Sequence, residues 1–155
     1  MKFADKIILC EVGLRDGLQN EKTLIPTEEK ISLLRGLIDA GFKVIEVGSF
    51  MHPKAVPQMA DTDEVFKAIG QVPGVELRAL IPNLRGVQRA VDCGCKKVKL
   101  NVSASRQHNL KNLNMTPEQS VASFAGCVQA ANENGIAISG SISMPFGSPW
   151  EGRTP

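Results

Sequence analysis

The sequence predicts an α/β fold of the parallel (β/α)-barrel type that is incomplete, with about five of the eight strands that close such a barrel. Three observations point to it. Apolar, β-branched runs alternate with helical patterns, and strand–helix–strand alternation means parallel strands joined by right-handed crossovers. Several of the runs are polar on one face only, whereas strands of an open parallel sheet are usually apolar on both. A barrel whose interior carries a polar site produces that pattern. Finally, Gly13-Leu14-Arg15-Asp16-Gly17 has the wrong spacing for a dinucleotide-binding loop after the first strand. Residues 1–155 therefore read as the N-terminal part of a single catalytic domain of the TIM-barrel type.

The elements follow in order. Lys6–Gly13 is the first strand run, with Glu11 and Arg15 on the side of Gly13. Thr27 is expected to cap the first helix, with Glu28 and Glu29 in its first turn and Ile31, Leu34, Leu37 and Ile38 as its apolar face. Gly41 ends it. Lys43–Phe50 is the second strand, and Glu46 shares a side with Val44 and Gly48. Asp61 with Glu64 reads as a capping box for a short helix through Ile69. Val75–Ile81 is the third strand, and Asn83 caps a helix ending near Gly94. In the fourth strand, Lys97–Ser103, the polar Lys99, Asn101 and Ser103 oppose Val98, Leu100 and Val102. Thr116-Pro117-Glu118-Gln119 combines a capping residue, proline at the first helical position and Gln three residues on. That helix runs to about Asn134, and Gly135 stops it. Ile136–Met144 is the fifth strand, with Ser139, Ser141 and Ser143 on one side.

Charge and composition exclude several classes. Eighteen basic residues are interspersed with 16 acidic ones, for a net charge of +2, so there is no nucleic-acid footprint. No apolar run approaches the roughly 20 residues of a membrane helix, and Met1–Asp5 lacks the apolar stretch of a signal peptide. Cys93-Gly-Cys95 is too short for a Cys-x-x-Cys site. Cys10, Cys93, Cys95 and Cys127 are expected to be free, reduced core thiols in a cytosolic protein.

The densest functional run lies where the first strand ends: Glu11-Val12-Gly13-Leu14-Arg15-Asp16-Gly17-Leu18-Gln19-Asn20-Glu21-Lys22. In a barrel this is the catalytic rim. There Asp16 suits a hard divalent cation, and Arg15 suits a carboxylate or a developing enolate. Read as spacing alone, the same run is sooner a solvated Asp-Gly turn and exposed loop than a site. Glu46 sits inside an apolar strand, where an unpaired carboxylate costs several kcal/mol by order of magnitude. Arg15 or a metal would relieve it, and Glu11 poses the same problem. His52 and His108 fall in loops with no partner at ligand spacing.

That run closely resembles the strand-one signature of the hydroxymethylglutaryl-CoA lyase family. Val44-Ile45-Glu46 with Ser49-Phe50, Val56-Pro57-Gln58-Met59, Pro82-Asn83-Leu84-Arg85-Gly86 and Lys111-Asn112-Leu113-Asn114 are similar to later family segments, and Gly147–Gly152 is so more loosely. The resemblance covers nearly the whole chain. It implies cleavage of 3-hydroxy-3-methylglutaryl-CoA to acetyl-CoA and acetoacetate with Mg²⁺ or Mn²⁺ as cofactor. It implies Asp16 as a metal ligand, Arg15 and Glu46 as catalytic residues, Arg15, Gln19 and Lys22 in substrate binding, and Glu11 as structural support. The family's His-x-His pair, its Asn ligand and its catalytic Cys would lie beyond Pro155, so these residues alone are expected to be inactive. Arg106 stands where many members carry an acidic residue. The partners implied are a small-molecule acyl-CoA and further copies in a homo-oligomer, with no nucleic acid and no membrane. A related condensing enzyme of the isopropylmalate- or homocitrate-synthase kind is the alternative, which Gln19-Asn20-Glu21 disfavours; a truncated acyl-CoA-binding protein without turnover is a third reading.

Overall fold

The computed structural model describes residues 5–154. Met1–Ala4, part of the run read above for a leader, and Pro155 lie outside the described residues. The main sheet has five parallel strands: β1 (Cys10–Glu11), β2 (Val44–Ser49), β3 (Glu76–Leu80), β4 (Lys97–Ser103) and β5 (Ala137–Ser143). Their spatial order is β1-β2-β3-β4-β5. A doubly wound sheet reverses direction at a switch point; this one only adds the next strand on the same side, which is how a barrel grows. The result is a curled half-barrel.

The helices that cover it are α1 (Thr27–Asp39), α2 (Thr62–Ile69), α3 (Leu84–Asp92), α4 (Arg106–Leu113) and α5 (Pro117–Glu133). Ile45, Val47, Leu77, Ala79, Val98 and Leu100 form the sheet's side of the core, and Leu34, Phe66, Val87, Ala90, Cys127 and Ala131 its helical side. The alternation of β4 is the expected one: buried Val98 and Leu100 alternate with half-buried Lys99 and Asn101 on the concave face. Packing is tight where α2 crosses β2. A Cβ on Gly48 would lie 2.5 Å from the Thr62 hydroxyl, so only glycine fits there.

Capping follows the sequence at α3 and α5. Asn83 Oδ1 accepts from Gly86 N at 3.2 Å, and Thr116 and Gln119 form a reciprocal capping box. It departs from the sequence at α1 and α2. Pro26, not Thr27, precedes α1, and Asp61 makes no side-chain cap on α2. The Thr27 hydroxyl instead donates to Asp61 Oδ2 at 2.9 Å, and Lys30 Nζ meets Asp61 Oδ1 at 2.7 Å. A buried ammonium outbids the helix end for that carboxylate, because the charged hydrogen bond is the stronger one.

Three further features depart from expectation. β1 covers two residues of the expected run, since Ile7, Ile8 and Leu9 are 66–76% exposed. Residues 106–113, read as loop, are a helix started by Ser105 Oγ, which accepts from His108 N at 3.1 Å. After β5 the chain makes a small antiparallel pair, β6 (Gly147–Ser148) with β7 (Gly152–Arg153).

Four free cysteines are present, and Cys10 is exposed rather than in the core. Burial pushes the Cys95 thiol up to about 12, while its Sγ donates to Lys97 O at 3.1 Å. In the unfolded chain it ionises near 9.0, the ordinary value of a solvated thiol. Between those values the unfolded state has lost a proton that the folded state keeps, so this contribution is intact below about pH 9 and is lost as pH rises toward 12. Stability should therefore fall by about 1.4 kcal/mol per pH unit through that window on account of this group. Chemical denaturation of wild type and Cys95→Ala across pH 8–11 checks it; parallel profiles for the two proteins would refute the assignment.

Candidate active site

All strand C-termini lie at one end of a parallel sheet, and the loops leaving them build the site there. After β1 the chain leaves the extended period at Val12 and makes a π-helical turn over Gly13–Gly17, in which Asp16 N donates to Val12 O at 2.7 Å. π-Turns of this kind concentrate at functional positions. The turn swings Arg15 over the concave face of the sheet.

Below it lies Glu46, 0% exposed on β2. Arg15 Nε donates to Glu46 Oε1, and Lys99 Nζ of β4 stands 2.5 Å from Oε2. The ammonium approaches Oε2 off the direction of a good hydrogen bond, so that oxygen is ion-paired but has no aligned donor. Arg15 Nη1 also donates to Asp16 Oδ1 at 2.7 Å. The row Lys99–Glu46–Arg15–Asp16 thus alternates in sign. The side chains of Glu46, Arg15 and Lys99 are 1%, 14% and 17% exposed, while that of Asp16 is 60% exposed. Burying the Glu46 carboxylate is tolerable because two cations share it.

Above this row opens a cleft of about 580 Å³, within the range of small-molecule sites. Arg15, Asp16, Gln19 and Asn20 line it from the first loop, Met51 and Val56 from the second, and Lys99 and Asn101 from the floor. Asn101 Oδ1 accepts from the Ser141 and Ser143 hydroxyls at 2.8 and 2.9 Å, tying β4 to β5 along the floor. His108, Lys111 and Asn112 of α4 form the far wall. There His108 stacks on Trp150 with ring centroids 5.7 Å apart, and Lys111 Nζ lies 4.4 Å from the indole centroid. The turn carrying Trp150 is held down by Glu151, which accepts from the Ser105 hydroxyl and from Gln107 N. The rim is therefore rich in positive charge, with one outward carboxylate at Asp16. Among the described residues, no group of three or more His, Cys, Asp or Glu side chains is placed to hold a metal.

The structure brings Arg15, Asp16 and Gln19 to the cleft and sets Glu46 beneath its floor. Glu11 does not join them. It is in register with Ile45, a core residue, and paired residues of adjacent strands share a face. Its Oε1 accepts from Gly13 N at 2.6 Å, supporting the turn from the other side. Counting alternate residues from Glu11 to Arg15 fails because the π-turn breaks the period. Lys22 is exposed and lines a separate depression with Leu24, Pro57 and Gln58. His52 is exposed, its Nδ1 accepting from Lys54 N at 3.2 Å, and it lies outside the cleft. Lys99 was visible only as one polar residue in an alternating strand; a lysine in register with Leu80 and Ser139 on an inward face was the signal that marks it.

Residues 6–153 match the HMGL-like family profile. The hydroxymethylglutaryl-CoA lyase of Rattus norvegicus, named as mitochondrial, is 44% identical over 148 residues, covering 96% of this chain and 46% of its own length. The 3-hydroxy-3-isohexenylglutaryl-CoA/hydroxy-methylglutaryl-CoA lyase of Pseudomonas aeruginosa is 43% identical over 152 residues, covering 98% of this chain and 51% of its own. Among solved structures, an HMG-CoA lyase from Acinetobacter baumannii in complex with coenzyme A and 3-methylmalate superposes with a TM-score of 0.93 at 41% identity. That match covers 100% of this chain and 50% of the other. The chain thus spans about half the length of the curated relatives it matches. No helix among the described residues is long and apolar enough to cross a membrane.

Proposed function

The chain belongs to the HMGL-like family, and from that premise we propose that it supplies the first half of the active site of a carbon–carbon lyase that cleaves 3-hydroxy-3-methylglutaryl-CoA to acetyl-CoA and acetoacetate. The observation that carries this reading is the alternating row Lys99–Glu46–Arg15–Asp16 at the floor of a cationic cleft. The substrate is a CoA thioester whose acyl chain ends in one free carboxylate, and scission leaves negative charge on the departing acetyl unit as an enolate. Arg15 has its Nε committed to Glu46 and Nη1 to Asp16, which leaves Nη2 to face a substrate oxygen. A guanidinium fixed on two sides stabilises charge that develops in the transition state without having to reorient. Glu46 is enclosed, so it acts by holding Arg15 and Lys99 in place. Gln19 lines the cleft beside them, and Lys22 acts at the mouth of the adjoining depression.

A divalent cation, Mg²⁺ or Mn²⁺, fits this chain at one position. Asp16 commits only Oδ1 to Arg15 and is exposed to the cleft; Mg²⁺ commonly takes one or two carboxylates and completes its shell with water and substrate oxygens. When bound, it would polarise the substrate's oxygens. Free cysteines at all four positions support a reducing compartment such as the cytosol.

The test is an assay of the full-length protein with 3-hydroxy-3-methylglutaryl-CoA and Mn²⁺. Acetoacetate and acetyl-CoA should appear in equal amounts and stop on chelation. Condensation of acetyl-CoA with a 2-oxo acid, and no cleavage, would replace this reading by that of a sibling condensing enzyme. A polypeptide restricted to residues 1–155 should give no product in the same assay.

A further inference from the structure

We propose that Gln58 is a positioning residue for the candidate site: its side-chain amide clamps the first-strand loop and so fixes Gln19 and Asn20 against the cleft. The significance of that clamp for substrate rests on the function proposed above; the clamp itself does not.

The loop needs such a device. Asn20, Glu21, Lys22, Thr23 and Leu24 are all exposed. Beyond two turn bonds, Asn20 N to Gly17 O at 3.3 Å and Glu21 N to Leu18 O at 2.9 Å, backbone pairing holds nothing between the π-turn and α1. A segment with few buried contacts opens locally at little cost, yet this one supplies a wall of the cleft. Gln58 stands in the second loop, in the tight turn Pro57–Met59, and is 3% exposed. Its Nε2 donates to Thr23 O and its Oε1 accepts from Ile25 N, both at 2.9 Å. One planar amide therefore satisfies an acceptor and a donor two residues apart, as a neighbouring strand would.

The clamp has its own anchor. Lys30 Nζ, on α1, donates to Gln58 O at 2.5 Å and to Asp61 Oδ1 at 2.7 Å. Lys30 is 5% exposed, so both ends of the arrangement are fixed in a site from which water is excluded. The second loop also lines the cleft through Met51 and Val56. Gln58 thus sets the separation of the two walls, from outside the cleft and without touching its contents.

The test compares Gln58→Leu, which keeps the bulk and removes both bonds, with Gln58→Glu, which keeps the acceptor for Ile25 N and loses the donor to Thr23 O. In the full-length protein, limited trypsin cleavage after Lys22 should rise about tenfold or more in Gln58→Leu, which loses both hydrogen bonds. It should rise at least as much in Gln58→Glu, whose buried carboxylate oxygen would face the Thr23 carbonyl oxygen. Cleavage after Lys96, an exposed site remote from the loop, should not change. For 3-hydroxy-3-methylglutaryl-CoA, KM should rise in the same order while kcat holds. An unchanged rate at Lys22, or an equal rise at Lys22 and Lys96, would overturn the proposal, the second result marking Gln58 as a general stability residue. If the wild type does not turn the thioester over, the proposed function fails while proteolysis still decides the clamp.

Discussion

Replacing Glu46 by Gln should destabilise the protein by about 3 kcal/mol, the range seen when one partner of a buried ion pair is removed. The size of the effect comes from the partners left behind. Arg15 and Lys99 are 14% and 17% exposed, and the carboxylate between them is 1% exposed. Gln keeps the shape but leaves two half-buried cations facing a neutral amide. Arg15 then has only the exposed Asp16 to hold it, and a pair exposed to that extent contributes about 1 kcal/mol or less. Two consequences are expected together: an earlier denaturation midpoint, and loss of the fixed orientation of Arg15 on which the proposed chemistry depends. Combining Glu46→Gln with Lys99→Met should recover part of the stability, since it removes one of the stranded charges. Urea denaturation of the two single variants and the double variant measures this. A midpoint for Glu46→Gln within error of wild type would show that the row is not the buried network described here.

Asp16→Asn should behave in the opposite way. The side chain is 60% exposed and makes one ion pair, so the denaturation midpoint should move little. Affinity of the full-length protein for Mn²⁺ should fall by about 100-fold or more, because loss of even an outer-shell partner of a metal ligand commonly costs about 10- to 100-fold. Titration calorimetry or the electron-spin signal of free Mn²⁺ reads this without turnover. Unchanged affinity, with the fold intact, would remove Asp16 from the metal site and leave it as the outer partner of Arg15. The two variants therefore separate the proposed roles of the row, a structural one for its inner carboxylate and a ligand-holding one for its outer carboxylate.

Legibility in the sequence followed the range of the interactions. The fourth strand was bounded correctly at Lys97–Ser103, and the start of α5 at Thr116–Gln119 was read correctly, because alternation and capping are written within a few residues. Asn109 was not legible. It is 1% exposed, its Oδ1 accepts from Ser103 N at 2.9 Å, and its Nδ2 donates to Met115 O and Ser120 Oγ, both at 2.8 Å. Nothing in the polar run Arg106–Asn112 distinguishes that residue from its exposed neighbours. Lys30 is no more legible: in the pattern of α1 it falls beside the apolar face, and only Asp61, 31 positions on, accounts for its burial.

Local patterns were enough for the parallel (β/α) architecture, the polar inner face, and the presence of Arg15, Asp16 and Glu46 in segments that resemble one family. Those follow from periods of two and of about 3.6 and from short motifs, which survive whatever the chain does elsewhere. Which of these residues meet follows from the packing of strands far apart in the chain. The π-turn at Gly13–Gly17 shifted the parity of the first segment, putting Arg15 over the cleft and Glu11 on the helix side. Sheet curvature brought Lys99 to Glu46 across an intervening strand. The reason is electrostatic: a carboxylate within the sheet must find cations when it loses water, and which cations can reach it is set by register and twist between strands, which no local pattern encodes.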